Sequence, residues 1–198
     1  FQITGLRPFT DNKFATIGND WMLPSKVLST KQVKQYKQIV TEIGRKLSKD
    51  GWKGLFGIDI IMDEKNGQLY LLEINARQPA STMFESRLQT LDFPAHGGTP
   101  PHGGGGLQTT NVTTFEAHIA ALLGLPYQKQ KLIKIANGAQ IIQRVTKKIN
   151  KLQTPKIKNS ALINTIKYNN TLPGSDLIRF QFSVGLMKKH NVLDKKIL

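Results

Sequence analysis

The sequence has no cysteine, no long apolar run and very few acidic residues in its carboxyl-terminal part. Without cysteine, disulfides and thiolate metal sites are excluded. No stretch of about 18 apolar residues occurs, and the amino end has no signal-peptide pattern. We therefore expect no transmembrane helix, no membrane partner and a cytoplasmic location. The 198 residues suffice for one domain with a real core, or for one domain and a small appendage.

The basic charge of the chain is concentrated at one end. Residues 1–125 hold 13 Lys/Arg and 11 Asp/Glu, a net of +2, whereas residues 126–198 hold 15 and 2, a net of +13. A basic segment can bind nucleic acid, anionic lipid or an acidic partner. No zinc signature, RGG box or aromatic-stacking motif accompanies these lysines, which favours a solvated surface. Binding of nucleic acid or another polyanion through residues 126–198 is the alternative function.

Two apolar segments, residues 57–62 and 71–77, hold the polar residues most informative about function. The sequence between them includes Asn66-Gly67, a strong turn signal because both residue types tolerate positive φ. The pattern predicts a β-hairpin. Its strands are apolar except at a few positions, which include Asp59, Glu73, Asn75 and Arg77.

A five-residue loop at 63–67 sets the predicted register of this hairpin. In that register Gly57 lies directly opposite Glu73, and Glu73 is diagonal to Asp59. Because side chains alternate along a strand, Asp59, Glu73 and Asn75 share one face. A register slipped by one residue would place the two carboxylates on opposite faces.

Two carboxylates and an amide oxygen on one face favour a Mg²⁺ site, since Mg²⁺ prefers hard oxygen ligands together with phosphate and water. Arg77 follows two residues after Asn75, and a guanidinium beside the metal can bind phosphate in bidentate fashion. An ordinary hairpin with polar strand ends is the alternative. The run at residues 69–72 is predicted to be buried, and a buried unpaired carboxylate is costly, which favours a site.

The sequence Gly57-Ile58-Asp59, a hairpin, and then Leu72-Glu73-Ile74-Asn75-Ala76-Arg77 resembles the metal-binding hairpin of the ATP-grasp superfamily. It is most similar to the carbamoyl-phosphate synthetase-like branch of carboxylate–amine ligases, over roughly residues 50 to 85. The resemblance implies the cofactors ATP and Mg²⁺, with Mn²⁺ as a substitute. It implies that Asp59, Glu73 and Asn75 are metal ligands, that Asn75 and Arg77 bind the cofactor, and that Arg77 is catalytic. Many members have Pro where this chain has Ala76.

The resemblance implies an ATP-dependent carboxylate–amine (or thiol) ligase that acts on a small-molecule carboxylate through an acyl phosphate. In the family, an amino-terminal lobe supplies further nucleotide contacts, and no such lobe is recognisable before Phe1. We therefore expect a fragment that corresponds to the carboxyl-terminal lobe, needs the missing nucleotide-binding lobe as a partner, and binds ATP weakly or not at all alone. A decayed relative that keeps the fold without turnover is a further alternative.

The predicted fold class is α+β, an antiparallel sheet with flanking helices. Residues 1–145 form the core and residues 146–198 a basic linker with a small β appendage. Ser29 or Thr30 caps a helix that ends near Ser48.

Further along the chain, residues 81–82 begin a short helix. Ser81 and Thr82 are either plain caps or contacts to an acyl-phosphate substrate. Residues 92–112 are predicted to be a flexible Gly-rich loop, either a lid or a disordered insertion, with its glycines at 97–106. Thr113 and Glu116 form a capping box, and residues 132–145 are predicted to be a second hairpin.

Overall fold

The computed structural model describes residues 2–7, 9–91, 110–126, 130–147 and 159–194. Within them the protein mixes helices and strands, in agreement with the predicted α+β class. The helices are α1 (Leu23–Val27), α2 (Thr30–Lys49), α3 (Thr82–Leu91) and α4 (Thr114–Leu122). The strands are β1 (Gln2–Thr4), β2 (Thr16–Asp20), β3 (Gly57–Met62), β4 (Leu69–Asn75), β5 (Thr110–Val112), β6 (Gln130–Leu132), β7 (Ala139–Arg144), β8 (Leu162–Lys167), β9 (Asp176–Phe182), β10 (Met187–Lys189) and β11 (Val192–Leu193).

The chain divides into two compact units, Phe1–Val27 with Ile135–Leu198, and Leu28–Lys134. The first unit contains an antiparallel sheet of strand order β1-β2-β7-β9-β8. β8 and β9 therefore belong to the same sheet as β2 and β7, whereas the sequence places them in an appendage at 146–198, apart from a core at 1–145. Strand pairing over such a chain separation leaves no local signal. The core of this sheet includes Ile3, Ile17, Leu23, Ala139, Ile141, Ile178, Phe180, Phe182, Leu186 and Met187.

Asp20 is a buried carboxylate that joins two parts of this unit. Its Oδ1 accepts hydrogen bonds from the backbone N–H groups of Met22 and Leu23, each at 2.9 Å, at the start of α1. Its Oδ2 accepts from the N–H groups of Leu186 and Met187, at 2.7 and 2.8 Å. Residues 18–20 are the end of β2, and the carboxylate holds the end of that strand to the start of β10.

A row of amide side chains crosses the same sheet. Strand register places Gln2, Asn19, Gln140, Gln181 and Asn164 side by side across all five strands. Gln140 Nε2 donates to Asn19 Oδ1 at 3.1 Å, and Asn164 Nδ2 donates to Gln181 Oε1 at 2.9 Å. Since a one-residue slip would bring these amides against apolar side chains, the row helps to specify the register.

The second unit is organised around α2 and the β3–β4 hairpin. Ser29, one of the two predicted caps, is the N-cap of α2, and it forms a capping box with Gln32. Asp50 is the C-cap, close to the predicted end of the helix. Gln35 reaches across to β4, where its carboxamide donates to Leu69 O at 3.1 Å and accepts from Leu69 N at 3.4 Å. The helix is thereby fixed to the start of β4.

The rest of this unit packs α3 against α4. Buried Gln89 accepts a hydrogen bond from Thr114 N at 2.7 Å, and Ser86 Oγ accepts from Phe115 N at 2.9 Å. β5 pairs in parallel with β6. The predicted hairpin at 132–145 is therefore wrong: β6 pairs with β5, and β7 pairs with β2 and β9. Of the predicted Gly-rich loop at 92–112, residues 92–109 lie outside the described part of the chain. Its last three residues form β5 rather than a loop.

Candidate metal site

The turn between β3 and β4 agrees with the turn chemistry read from the sequence. Asp63 N donates to Gln68 O at 2.9 Å, and Gly67 N donates to Asp63 O at 2.7 Å. Gly67 has φ +69°, a backbone conformation that residues other than Gly rarely adopt. The Asp63 and Asn66 side chains each accept a backbone N–H two residues on, at 2.8 Å. These contacts stabilise the loop predicted at residues 63–67.

The register of the hairpin differs from the predicted one. Near the turn Met62 pairs with Leu69, whereas the predicted five-residue loop would pair it with Gln68. A bulge between Asp59 and Ile60 then shifts the pairing, so that Asp59 lies directly opposite Glu73. Leu72 is the residue of β4 left without a partner. The bulge compensates for the slip near the turn, and the two carboxylates lie on one face.

Asn75 completes this face one pair further along, where it lies opposite Gly57. The prediction that Glu73 is diagonal to Asp59 and opposite Gly57 is therefore wrong, although the shared face is confirmed. An added Cβ at Gly57 would lie 3.6 Å from Asn75 Cβ, which is an ordinary van der Waals contact. Asp59 and Asn75 are half-buried, and Glu73 is exposed.

Arg77 is folded back onto Asn75 by a tight turn. Arg77 N donates to Asn75 O at 2.8 Å, which closes a three-residue turn around Ala76. The guanidinium Nη2 donates to Asn75 Oδ1 at 3.3 Å. The structure thus brings Asp59, Glu73, Asn75 and Arg77 to one end of the hairpin. The amide oxygen proposed as a metal ligand is in contact with the arginine.

The apolar run that precedes the site is not buried as a whole. Leu69 is 6% exposed, but Tyr70 is 49%, Leu71 40% and Leu72 65% exposed. The expectation that residues 69–72 are buried is wrong for three of the four residues. The cost of burying an unpaired carboxylate therefore does not distinguish a binding site from an ordinary hairpin here, and the convergence of the polar side chains is the remaining evidence.

The two predicted substrate contacts have local acceptors at the start of α3. Thr82 is fully buried, and its hydroxyl donates to Pro79 O at 2.8 Å. Ser81 Oγ donates to Glu85 Oε1 at 2.9 Å. In this structure both hydroxyls form hydrogen bonds at the start of α3, and contact of Ser81 and Thr82 with a substrate stays a prediction.

Glu85 also affects an ionisable residue of α2. Burial raises the pKa of Tyr36, and the negative charge of Glu85 raises it further.

Two ionisable residues of α4 have structural roles that sequence patterns only partly indicate. Glu116 accepts hydrogen bonds from Thr113 N at 2.8 Å and Thr113 Oγ1 at 2.9 Å, which is the predicted capping box. His118 is buried, and its Nδ1 accepts from Leu55 N at 3.1 Å. Gly54 lies so close that an added Cβ would be 2.7 Å from that nitrogen. The imidazole therefore holds the segment that leads into β3.

Two basic residues of the segment 126–198 are engaged within the first unit. Arg144 Nη1 lies 2.9 Å from Asp176 Oδ1, and Arg179 Nη2 lies 3.5 Å from Asp176 Oδ2. Arg144 also donates to Thr16 O at 2.9 Å. Arg144 thus links β7 to β9 and β2, whereas Arg179 pairs with Asp176 within β9. Binding of nucleic acid or another polyanion through residues 126–198 stays an alternative prediction.

The donor set at the hairpin fits a hard divalent cation only in part. Among the described residues, no group of three or more His, Cys, Asp or Glu side chains could hold a metal ion. Asp59 and Glu73 supply two carboxylates, and Asn75 supplies an amide oxygen. Such a set suits Mg²⁺, which is commonly bound by one or two carboxylates while water and phosphate complete its coordination.

Comparisons with known proteins add no relative. No protein-family model matches the chain, and neither a curated protein nor a solved structure matches it significantly. Within the described ranges, no helix is long and apolar enough to cross a membrane. The likeness to the ATP-grasp superfamily therefore stays a prediction based on the hairpin residues.

Proposed function

We propose that this chain is the ATP- and Mg²⁺-binding lobe of an ATP-dependent carboxylate–amine or carboxylate–thiol ligase of ATP-grasp type, acting through an acyl phosphate. The single observation that carries the proposal is the pairing of Asp59 directly opposite Glu73, with Asn75 on the same face. Directly opposite residues have Cβ atoms about 5 Å apart, which two carboxylates can span to share one cation.

Each site residue would have a separate role. Asp59, Glu73 and Asn75 would hold Mg²⁺, and the ion would supply neutralisation of the β- and γ-phosphate charge. Arg77 would orient the transferring phosphoryl group through its forked N–H donors. In this class of reaction the protein contributes mainly positioning and electrostatics, which requires the metal-binding side chains to be held by rigid elements. The turn hydrogen bonds and Gln35 supply that rigidity to β4.

The exposure of the second unit supports a partner lobe. Most of the large apolar side chains that are exposed belong to Leu28–Lys134, among them Ile61 and Tyr70 on the face that carries Asp59. Apolar surface beside a set of polar ligands is typical of an interaction or ligand surface. We propose that a nucleotide-binding lobe covers this face, so that the chain alone binds ATP weakly.

The test is a titration of the full chain with Mn²⁺, in which electron paramagnetic resonance measures the concentration of the free ion. We expect wild-type protein to bind Mn²⁺, and Glu73→Gln to lose that binding. Glu64→Gln is the matched control, because Glu64 is an exposed acid in the turn of the same hairpin. Equal Mn²⁺ affinity in wild type and Glu73→Gln, or no binding by either, would contradict the proposal.

A second measurement addresses the nucleotide. Hydrogen exchange of the amides at residues 57–77 is followed with Mn²⁺ alone and with Mn²⁺ and ATP. We expect additional protection with ATP, because phosphate oxygens complete the coordination of the ion. Protection that is independent of ATP would indicate a metal site without nucleotide.

A further inference from the structure

We infer that the Arg77 guanidinium stays hydrogen-bonded to Asn75 Oδ1 until a divalent cation displaces it from that oxygen. Metal binding then releases Arg77 to bind phosphate. This inference rests on the proposed function and adds an order of events to it. The geometry that points to it is one shared atom: Asn75 Oδ1 accepts from Arg77 Nη2 at 3.3 Å. It is also the oxygen proposed to ligate the metal.

The backbone turn at Ala76 places Arg77 close to Asn75. Arg77 N–H and Arg77 Nη2 both donate to Asn75, one to its carbonyl and one to its side chain. Among the described non-glycine residues, positive φ occurs at Asn191 alone, so Ala76 has negative φ and the turn is of the inverse γ kind. Such a turn reverses the chain within three residues, which keeps the two side chains within hydrogen-bond reach of each other.

Nothing else in the described part of the chain holds the guanidinium in place. Arg77 is exposed, and the Asn75 oxygen is its one side-chain hydrogen-bond partner among the described residues. No described carboxylate lies within ion-pair distance of it, although Glu73 is four positions away. A single long hydrogen bond at an exposed position is weak, so a cation can displace the guanidinium.

The two cations compete because they would share one oxygen. Mg²⁺ binds ligand oxygens at about 2.1 Å, so its centre would lie only about 4 to 5 Å from a guanidinium that stayed in contact with Asn75. Repulsion between charges of +2 and +1 at that separation, screened by water and salt, weakens metal binding by roughly three- to tenfold. Phosphate beside the metal reverses the effect, since an anion attracts both cations.

The test is whether one variant changes the affinities for Mn²⁺ and for tripolyphosphate in opposite directions. In the full chain, Arg77→Met is expected to tighten Mn²⁺ binding by roughly three- to tenfold without nucleotide. The same change is expected to weaken binding of tripolyphosphate in the presence of Mn²⁺. Arg45→Met is the matched control, because it removes an exposed positive charge from α2 and is expected to change neither affinity. Arg77→Lys keeps the charge without the forked donors, so its Mn²⁺ affinity is expected to stay near that of wild type.

A spectroscopic measurement follows the guanidinium directly. Titration with diamagnetic Mg²⁺ is expected to shift the Arg77 side-chain N–H resonances, and the Arg45 resonances are expected to stay unchanged. Unchanged or weaker Mn²⁺ binding by Arg77→Met would overturn the exchange while leaving the metal site in place. Absence of Mn²⁺ binding in wild type would instead overturn the proposed function, and the exchange with it.

Discussion

Asp59 lies directly opposite Glu73 because Leu72 bulges out of β4. If the pairing found near the turn continued along the strands without the bulge, Asp59 would lie opposite Leu72. Glu73 would then lie on the other face of the hairpin. Leu72 is 65% exposed, so the bulged residue contributes little to packing. The bulge thus determines whether the two carboxylates can act on one ligand, which agrees with the general occurrence of bulges near functional sites.

Cysteine cross-linking tests this register. The chain has no cysteine, so an introduced pair has no competing thiol. We expect Asp59→Cys with Glu73→Cys to form a disulfide readily, because directly opposite Cβ atoms are within bonding range. Gly57→Cys with Glu73→Cys, the pair that is opposite in the register predicted from sequence, is expected to cross-link much more slowly. Mass spectrometry after mild oxidation measures both, and equal yields would contradict the observed pairing.

The Asp20 carboxylate is predicted to be a major source of stability in the first unit. In Asp20→Asn, one oxygen is replaced by an NH₂ group that faces N–H donors. We expect a loss of about 2 to 4 kcal/mol in the free energy of unfolding, measured by urea denaturation. The amides of Leu186 and Met187 should exchange faster. Asp11→Asn is the control: Asp11 forms an exposed ion pair with Arg7 at 3.9 Å, and we expect a change of no more than about 0.5 kcal/mol.

The raised pKa of Tyr36 predicts a loss of stability at alkaline pH. Below the pKa of the unfolded state, about 10, the phenol is protonated in both states and its contribution is fully present. As the pH rises from there through the folded pKa, the unfolded state releases its proton first, and the folded state loses stability. The loss is less than about 1 kcal/mol, because Tyr36 is 44% exposed and solvent screens its charge.

Two variants separate the causes of that shift. Tyr36→Phe is expected to flatten the dependence of unfolding free energy on pH between about 9 and 11. Glu85→Gln is expected to lower the pKa of Tyr36, because it removes the negative charge that disfavours the phenolate. Absorbance titration of tyrosinate and denaturation at each pH provide the two readouts. An unchanged slope in Tyr36→Phe would contradict the assignment.

Local chemistry explains which features could be predicted from the sequence. The N-cap of α2, predicted at Ser29 or Thr30, is Ser29, and the predicted capping box of Thr113 and Glu116 forms. The turn at residues 63–67 likewise depends on Asp63, Asn66 and Gly67, whose contacts are all local. Asp59, Glu73 and Asn75 lie on two strands joined by that turn, and Arg77 follows the second strand by two residues, which is why their convergence could be predicted.

Non-local packing explains the failures. The Leu72 bulge is selected by the pairing of two whole strands, and no single residue signals it. The exposure of Leu71 and Leu72 depends on what packs against the hairpin, which an apolar run does not reveal. β8 and β9 join the sheet through pairing with β7, and the segment between β7 and β8 resembles a linker in composition. The local sequence around Asp20 does not reveal its partners at Leu186 and Met187, which are 166 and 167 positions away.

The turn at Ala76 gives the last prediction. Ala76→Pro is expected to stabilise the protein by about 0.4 to 1 kcal/mol, because proline restricts the unfolded chain at a position whose φ is already negative. Asn75 ends an extended strand, which suits a residue before proline, and Ala76 N–H has no hydrogen-bond acceptor among the described residues. Arg77→Pro is the matched control: it removes the N–H that donates to Asn75 O, so we expect lower stability. Thermal unfolding measures both variants. A loss of stability in Ala76→Pro would show that the turn has a different backbone conformation.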